Sequence, residues 1–392
     1  MARKKLVVCC DGTWNDDQDN TNVCKIRNAV ARVDEGGVEQ RVFYDAGVGT
    51  DWSNRLGGGT LGIGLSKNVR DAYEFLVRNH EDGDEIFGFG FSRGAYTVRS
   101  LCGFLKVVEL LRDPDPKLIE RAYGYYKLSK EERPGSPLHR ELPGLARRRV
   151  TVRFLGVFDT VGALGVPFPW LKKLNDRRVQ FHDTRLSDII ECACQAVAID
   201  ERRDPYRPTL WTAGPKKVVR ADGTEVDPVV LQVWFPGAHS DVGGGYDESK
   251  MGAEERGYAA VPLHWMMDRA RECGLAFRGD DPAVTARPNP AGRIHDSFTW
   301  GWKLFHGLSW SISAYDRPIG NDQRKATARA RGEGWDEERD AACAEMIHAC
   351  VFDRIEGAAA AKLARDQRPY APPSLVADGR VRPDMAGFAR FG

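Results

Sequence analysis

"FGFGFSRGAYTVRS", residues 87–100, is the stretch of sequence that decides the fold. An apolar run breaks off at Ser92, which is flanked by Gly90 and Gly94, and a helical pattern follows. In the pattern G-x-S-x-G, the residues two before and two after the serine approach each other at a sharp turn, so they must lack bulk. The stretch therefore predicts a strand, a tight turn and a helix, with Ser92 lifted out of the sheet at the turn.

Three interpretations of Ser92 follow from this geometry. Serine at such a turn is a candidate nucleophile, because the N–H groups and the dipole at the start of the helix favour a developing anion. The structural alternative is a tight strand-to-helix turn in which the serine has no chemical role. A phosphate-binding loop is disfavoured, because the Lys-Ser/Thr ending of a P-loop is absent.

The segments before this turn alternate between strand and helix patterns. "KLVVCCDGT" (5–13), "QRVFYDAG" (40–47) and "DEIFGFGFS" (84–92) are short apolar runs, typical of strands buried on both faces of a parallel sheet. "LSKNVRDAYEFLVRNH" (65–80) carries its apolar residues on one helical face. This alternation predicts an α/β fold with a mostly parallel central sheet and helices on both faces.

The rest of the chain continues this pattern with interruptions. Residues 112–148 are rich in charge and proline and predict an insertion or a cap. "LSDIIECACQAVAID" (186–200) has apolar residues at helical spacing and predicts a helix. The weaker patterns of residues 275–392 predict a helical part packed on the core. Because no repeat or low-complexity linker separates these segments, residues 1–392 are expected to form a single domain.

The bulk composition argues against several classes of protein. The chain has 57 basic and 56 acidic residues, so its net charge of +1 gives no field that favours a nucleic-acid partner. Its nine cysteines, several of them in apolar runs, are typical of buried free thiols in a reducing compartment. The first apolar run, Leu6–Cys10, is shorter than the core of a signal peptide, and no stretch is long enough to span a bilayer. The sequence predicts a cytoplasmic protein, leaves open export that needs no signal peptide, and indicates no oligomeric state.

A nucleophilic serine needs a base, and the base needs an acid to orient it. Both are expected at the ends of later strands, in the order serine, acid, histidine. "FLGVFDTVG" (154–162) ends a strand at Asp159, and "LQVWFPGAHSDVGG" (231–244) ends a strand and places His239 in the next loop. Each has a structural alternative, because an aspartate can cap a turn and a loop histidine can hold local structure. His295 and His306 are rival bases, and Asp241 could orient His239 or bind a metal.

The oxyanion of an acyl-transfer reaction also needs hydrogen-bond donors. One donor is expected from the backbone N–H of Arg93, and the other from Gly12 or Thr13 in the loop after the first strand. Asp11 in that loop could bond nearby amides or bind a cation. Asp11, Asp159 and Asp241 together would suit Ca²⁺ or Mg²⁺, but their spacing gives no support. No metal and no cofactor are therefore expected.

Five sequence blocks together resemble a known family. They are "VVCCDGTWND" (7–16), "GFSRGAYTVR" (90–99), "GVFDTVGALG" (156–165), "AIDERRDPYRP" (198–208) and "VWFPGAHSDVGGGY" (233–246). In this order they resemble the type VI secretion phospholipase effector-like catalytic domain, once a domain of unknown function, in the α/β-hydrolase superfamily. The resemblance implies a serine hydrolase with Ser92, Asp159 and His239 as its triad. It also implies activity on glycerophospholipids, since some members attack a competitor's membrane.

Two aromatic segments bear on a lipid substrate. "VPFPWLKKL" (166–174) sets Phe168, Trp170 and Leu171 beside two lysines and is a candidate lid or acyl pocket. "SFTWGWKLFHGLSW" (297–310) could contact a membrane surface but is more typical of core. Three functions follow: a phospholipase or lipase-like esterase acting through an acyl-serine, a soluble carboxylesterase for small esters without a membrane role, and a non-catalytic binding module that retains the fold.

Overall fold

A computed structural model gives the structure of the chain in several ranges. It describes residues 3–12, 20–47, 60–147, 150–161, 185–203 and 206–297. Further along it describes residues 316–317, 319, 343, 345–356, 370–377, 380–381 and 390–391. The side chains of residues 60–63, 250, 356, 376–377, 380–381 and 390–391 are not described.

The strands of the described part build one large sheet and two small hairpins. In chain order they are β1 (Lys5–Cys10), β2 (Gln40–Asp45), β3 (Glu85–Phe91), β4 (Val152–Phe158), β5 (Cys192–Ala198), β6 (Val218–Val219), β7 (Glu225–Val226), β8 (Val229–Phe235), β9 (Glu345–His348), β10 (Val376–Ala377), β11 (Arg380–Val381) and β12 (Arg390–Phe391). The large sheet has eight strands in the order β2-β1-β3-β4-β5-β8-β9-β12, and all of its pairings are parallel. The predicted α/β fold with a parallel central sheet is confirmed.

Helices cover both faces of the sheet. They are α1 (Asn22–Ala29), α2 (Thr60–Asn79), α3 (Arg93–Val108), α4 (Pro116–Tyr126), α5 (Pro137–Leu145), α6 (His239–Gly243), α7 (Ala260–Glu272), α8 (Pro282–Thr285) and α9 (Ala349–Glu356). Side chains alternate along each strand, so β1 sends Leu6 and Val8 to the core under α2 and α3, and Val7 and Cys9 to the core under α1 and α7. Each face of the sheet therefore has its own buried cluster.

The alternation of glycine and phenylalanine in β3 comes from the close approach of α3. A Cβ at Gly88 would lie 2.7 Å from Val98, and one at Gly90 would lie 2.5 Å from the Cα of Ala95. A Cβ at Gly94 would lie 2.1 Å from the carbonyl oxygen of Cys10. The glycines let α3 lie directly on β3 and β1, while the phenylalanines of β3 fill the opposite face.

The described residues of the predicted insertion, 112–147, contain α4, a short 3₁₀ turn and α5, which extend the helical layer on one face. Tyr126 at the end of α4 packs beside Gly103 and Phe104 of α3. These contacts lie about three helical turns from Ser92. The end of α4 thus packs against the far half of α3.

One prediction of secondary structure is wrong. Residues 186–200 contain the strand β5, Cys192–Ala198, whose seven residues are all buried, and not a helix. Burial on both faces explains the error, because an unbroken apolar run matches helical and strand spacing equally well.

The part after residue 275 is predicted to be helical and packed on the core. Its described ranges contain the helices α8 and α9, and they also add β9 and β12 to the sheet.

Two further sequence predictions concern thiols and membrane spans. All nine cysteines lie in the described ranges and none of them forms a disulfide, and all are buried except the partly exposed Cys273. Within the described ranges, none of the helices combines the length and apolarity needed to cross a bilayer.

Candidate active site

Ser92 occupies the sharp turn between β3 and α3. Its backbone has φ 57° and ψ −120°, a conformation that L-residues rarely adopt. The Ser92 N–H donates to the carbonyl oxygen of Phe158 at 3.1 Å, which fixes the turn against the end of β4. The residue is 7 % exposed. The serine side chain therefore stands at the carboxyl edge of the sheet on a strained, well-anchored backbone.

Ser92, His239 and Asp159 form a continuous hydrogen-bonded chain, called here the Ser–His–Asp chain. The hydroxyl of Ser92 lies 2.8 Å from Nε2 of His239, and Nδ1 of His239 lies 2.5 Å from Oδ2 of Asp159. The rings of Phe91 and Tyr206 pack on the imidazole, with centroids 4.6 and 5.0 Å away. The structure thus brings together three side chains that are 67 and 80 residues apart in sequence, in the order predicted for a serine hydrolase.

Asp159 follows β4 directly and is completely buried. Its φ of 39° turns the chain so that the carboxylate lies under the imidazole. The N–H of Ala198, at the end of β5, donates to Oδ1 at 3.0 Å. Burial alone would raise the pKa of Asp159, but the charge of Arg317 and the hydrogen bond from His239 outweigh it and hold that pKa well below its usual range. Asp159 is therefore ionised at neutral pH.

Arg317 is a site residue that sequence reasoning missed. Its Nη1 lies 2.5 Å from Oδ1 of Asp159 and its Nη2 lies 3.0 Å from Oδ2, so the guanidinium grips both carboxylate oxygens. Its side chain is fully buried. The surrounding segment "SAYDRPIG" (313–320) carries no motif, and the contact with Asp159 spans 158 positions. No local pattern could have identified this residue.

His239 is held by the loop after β8. Gly237, with φ 98°, turns the chain into the short helix α6, which begins at His239. The N–H of His239 donates to Oε2 of Glu201 at 3.3 Å. Glu201 is completely buried, and Arg203 binds both of its oxygens at 2.8 and 2.7 Å. Glu201 and Arg203 lie in the block "AIDERRDPYRP", which the sequence singled out without assigning a role to either residue.

His295, the rival base, contacts a different carboxylate. Its ring atom Nδ1 lies 2.7 Å from Oδ1 of Asp241, and its backbone N–H donates to Oδ2 of Asp241 at 2.8 Å. Tyr246 stacks on its ring at 3.8 Å. Oδ2 of Asp241 also accepts the backbone N–H of Ala238, the residue before His239, at 2.8 Å. The structure thus places His239 beside Ser92 and His295 beside Asp241, and His306 lies outside the described residues.

The loop after β1 approaches the turn at Ser92, as the glycine contacts of Gly94 require. The N–H of Gly12 donates to Oδ1 of Asp11 at 2.8 Å. Asp11 also accepts hydrogen bonds from the hydroxyls of Thr21 and Tyr44. Gly12 could serve an oxyanion only by giving up its bond to Asp11, and Thr13 lies outside the described residues.

The three carboxylates considered for a cation are held by separate partners. Asp11 binds hydroxyls, Asp159 binds Arg317 and His239, and Asp241 binds His295. Across the described ranges, no group of three or more His, Cys, Asp or Glu side chains is placed to bind a metal ion. The candidate lid residues Phe168, Trp170 and Leu171 lie outside the described residues.

The chain is similar to several known proteins in sequence or in structure. The uncharacterized protein YEL023C of Saccharomyces cerevisiae is 30 % identical over 237 residues, which are 54 % of this chain and 33 % of the yeast protein. The chain thus spans about a third of the length of this relative. An uncharacterized protein from Pseudomonas aeruginosa gives a TM-score of 0.42 at 19 % identity, over 73 % of this chain and 47 % of that one.

The Tle1 effector bound to the VgrG spike of the type 6 secretion system gives a TM-score of 0.43 at 16 % identity, over 87 % of this chain and 84 % of that one. The family described as "T6SS, Phospholipase effector Tle1-like, catalytic domain" matches residues 4–269. This match covers all five sequence blocks, the turn at Ser92, and the strands that carry Asp159 and His239. The chain belongs to the family of Tle1-like phospholipase effector catalytic domains.

Proposed function

We propose that the chain hydrolyses carboxylic esters through an acyl-serine intermediate, with Ser92 as nucleophile, His239 as base and Asp159 as the acid that orients the base. The observation that carries this proposal is the contact of 2.8 Å between the hydroxyl of Ser92 and Nε2 of His239. A base within this distance can take the serine proton as the oxygen attacks.

The reaction proceeds in two halves. Ser92 Oγ attacks the carbonyl carbon while its proton passes to Nε2 of His239. The bond to the alcohol oxygen then breaks, the alcohol takes the proton from His239, and the acyl group stays on Ser92. Water attacks the acyl-serine with His239 again as base, and Ser92 leaves with the proton. One ester and one water give one alcohol and one acid.

The protonation states of the site support these roles. Ionised Asp159 accepts the N–H at Nδ1 of His239, which leaves the lone pair of Nε2 facing Ser92. The imidazolium that forms during attack is then stabilised by the same carboxylate. The developing oxyanion lies beside the first turn of α3, where the N–H of Arg93 is the expected donor.

The substrate class that we propose is a phospholipid or another lipid-like ester. The support is membership of a family described as phospholipase effectors. A soluble carboxylesterase would use the same chemistry on monomeric esters. Rates on a short p-nitrophenyl ester and on phospholipid vesicles separate the two, because a lipase is activated by the interface and an esterase is not.

The catalytic role of Ser92 is tested by Ser92→Ala, which should lower kcat on a p-nitrophenyl ester by at least about 10⁴-fold because the nucleophile is lost. The matched control is Ser100→Ala, which removes a hydroxyl from another buried serine of α3. Circular dichroism checks that both variants fold. Full activity in Ser92→Ala, or equal losses in both variants, would exclude the proposed mechanism.

A further inference from the structure

We propose that Arg317 is a positioning residue that holds Asp159 in place and sets the pH at which His239 works as a base. This inference rests on the proposed function, because it assigns a role to a residue that acts through the Ser–His–Asp chain. Arg317 lies outside the family match, which ends at residue 269. The later part of the chain would then complete the site.

The geometry ties Arg317 to Asp159 and to the backbone around it. The guanidinium binds both oxygens of Asp159 at 2.5 and 3.0 Å. It also donates to the carbonyl oxygen of Ala198 at 2.7 Å and to that of Tyr206 at 2.5 Å. Both side chains of the ion pair are 0 % exposed. Four hydrogen bonds thus fix the carboxylate, the end of β5 and the segment that carries the ring beside His239.

The charge of Arg317 changes the proton affinity of the His239–Asp159 pair. With Arg317 present, the three groups have no net charge when His239 is neutral, so adding a proton makes them cationic. Without Arg317, the pair is anionic and takes up a proton more readily. His239 would then be protonated, and unable to act as base, at a higher pH. Arg317 therefore keeps the base available towards lower pH.

Other charged or titratable groups face the imidazole from the elements around it. Glu201 accepts the N–H of His239, Arg203 neutralises Glu201, and Asp241 lies on the same short helix paired with His295. The ring of Tyr206 packs edge-on against the imidazole. Glu201 and Asp241 each have a basic partner of their own. Arg317, in contrast, binds the carboxylate of the Ser–His–Asp chain directly.

The test compares the pH dependence of kcat/KM in Arg317→Gln and Arg317→Lys. The acid limb is the part of the pH profile in which kcat/KM falls as the pH is lowered. Arg317→Gln removes the charge, so this acid limb should move to higher pH by at least about one unit. Arg317→Lys keeps the charge but loses the bidentate hydrogen bonds to Asp159. We therefore expect kcat/KM to fall while the acid limb stays close to that of the wild type. An acid limb that does not move in Arg317→Gln would overturn the inference.

Arg220→Gln is the matched control. Arg220 binds Glu191 at 2.8 and 2.6 Å, beside the opposite end of β5 from Ala198. Removing this charge should leave the acid limb in place. An equal movement of the acid limb in this control would mean that net charge, and not Arg317 itself, sets the pH dependence, and would contradict the proposal.

One readout does not depend on turnover. Nuclear magnetic resonance titration of the labelled His239 imidazole should show protonation at higher pH in Arg317→Gln than in the wild type. If the wild type hydrolyses no ester, the proposed function fails, while this titration still decides the role of Arg317. An unchanged titration would refute that role whether or not the protein is active.

Arg317→Gln leaves a buried carboxylate without its cation, a change that can prevent folding. In that event, Arg317→Gln is compared with the double variant Asp159→Asn/Arg317→Gln by circular dichroism and urea unfolding. Because a neutral residue at position 159 needs no cation, the double variant should regain the fold that Arg317→Gln loses. A double variant that is as poorly folded as Arg317→Gln would mean that the bonds of Arg317 to the carbonyls of Ala198 and Tyr206, and not its charge beside Asp159, are what the site needs, which would refute the inference.

Discussion

The backbone strain at Ser92 predicts that glycine stabilises this position more than alanine does. Ser92 has φ 57° and ψ −120°, where a side chain at Cβ is unfavourable and glycine is not. Ser92→Ala and Ser92→Gly both remove the hydroxyl and its bond to His239. The difference between the two variants therefore isolates the cost of a Cβ at the turn.

The size of the effect follows from two opposing terms. Holding a residue other than glycine in such a conformation costs about 1–3 kcal/mol. Glycine loses more conformational freedom on folding, which costs about 0.5–1 kcal/mol relative to alanine. Ser92→Gly should therefore be more stable than Ser92→Ala by up to about 2.5 kcal/mol, with roughly 1 kcal/mol expected from the middle of the two ranges.

Urea unfolding of both variants measures this difference, and Ser100 provides the control. Ser100 lies inside α3, where glycine should be less stable than alanine by about 1 kcal/mol. The expected result is thus a reversal of sign between positions 92 and 100. If alanine is the more stable residue at both positions, the sharp turn described at Ser92 is wrong.

Two further predictions concern stability and pH. Gly94→Ala places a Cβ 2.1 Å from the carbonyl oxygen of Cys10, a backbone atom that cannot move aside, so it should lower the free energy of unfolding in urea by about 2–3 kcal/mol and remove most of the proposed esterase activity. Gly124→Ala in α4, where a Cβ meets nothing within 4 Å, should instead be neutral or stabilising by up to about 1 kcal/mol, and similar losses in both variants would refute the clash. Burial raises the pKa of Asp200 to about 6, against hydrogen bonds from the Gly237 N–H and the Tyr370 hydroxyl that lower it. The folded state then binds the proton more tightly than the unfolded state, so this residue's contribution to stability is lost as pH rises from about 4 to about 6. Asp200→Asn should gain stability over the wild type by up to about 2 kcal/mol across that range, and a gain that does not change with pH would contradict the raised pKa of Asp200.

The local features of the site, namely the turn at Ser92 and the strand ends before Asp159 and His239, could be predicted from the sequence. Gly90 and Gly94 predict the turn because only glycine fits where the backbone of a helix approaches the backbone of a strand too closely for a Cβ. The ends of β4 and β8 were recognisable as apolar runs that stop at polar residues, which placed Asp159 and His239 at one edge of the sheet. The order of these residues along the chain added a second constraint.

The features that sequence reasoning missed depend on burial and on long-range contacts. In β5, Gln195 is the one polar residue, and it is as buried as its apolar neighbours, so no polar face reveals the period of two. Arg317 reaches Asp159 across 158 positions, and Arg203 binds Glu201 only two residues away, yet neither pairing has a motif. The contacts of His239 with Ser92 and of His295 with Asp241 likewise depend on distances in space that no local pattern gives.

The central claim is that Ser92 is a nucleophile activated by His239. Labelling with a fluorophosphonate probe, followed by peptide mass mapping, tests it most directly, because the probe reacts with an activated serine. The native wild type should carry one adduct, on Ser92, that is absent after unfolding in urea and forms far more slowly in His239→Ala. A native protein that stays unlabelled, or that carries the adduct on another residue while Ser92 is unmodified, would contradict the claim.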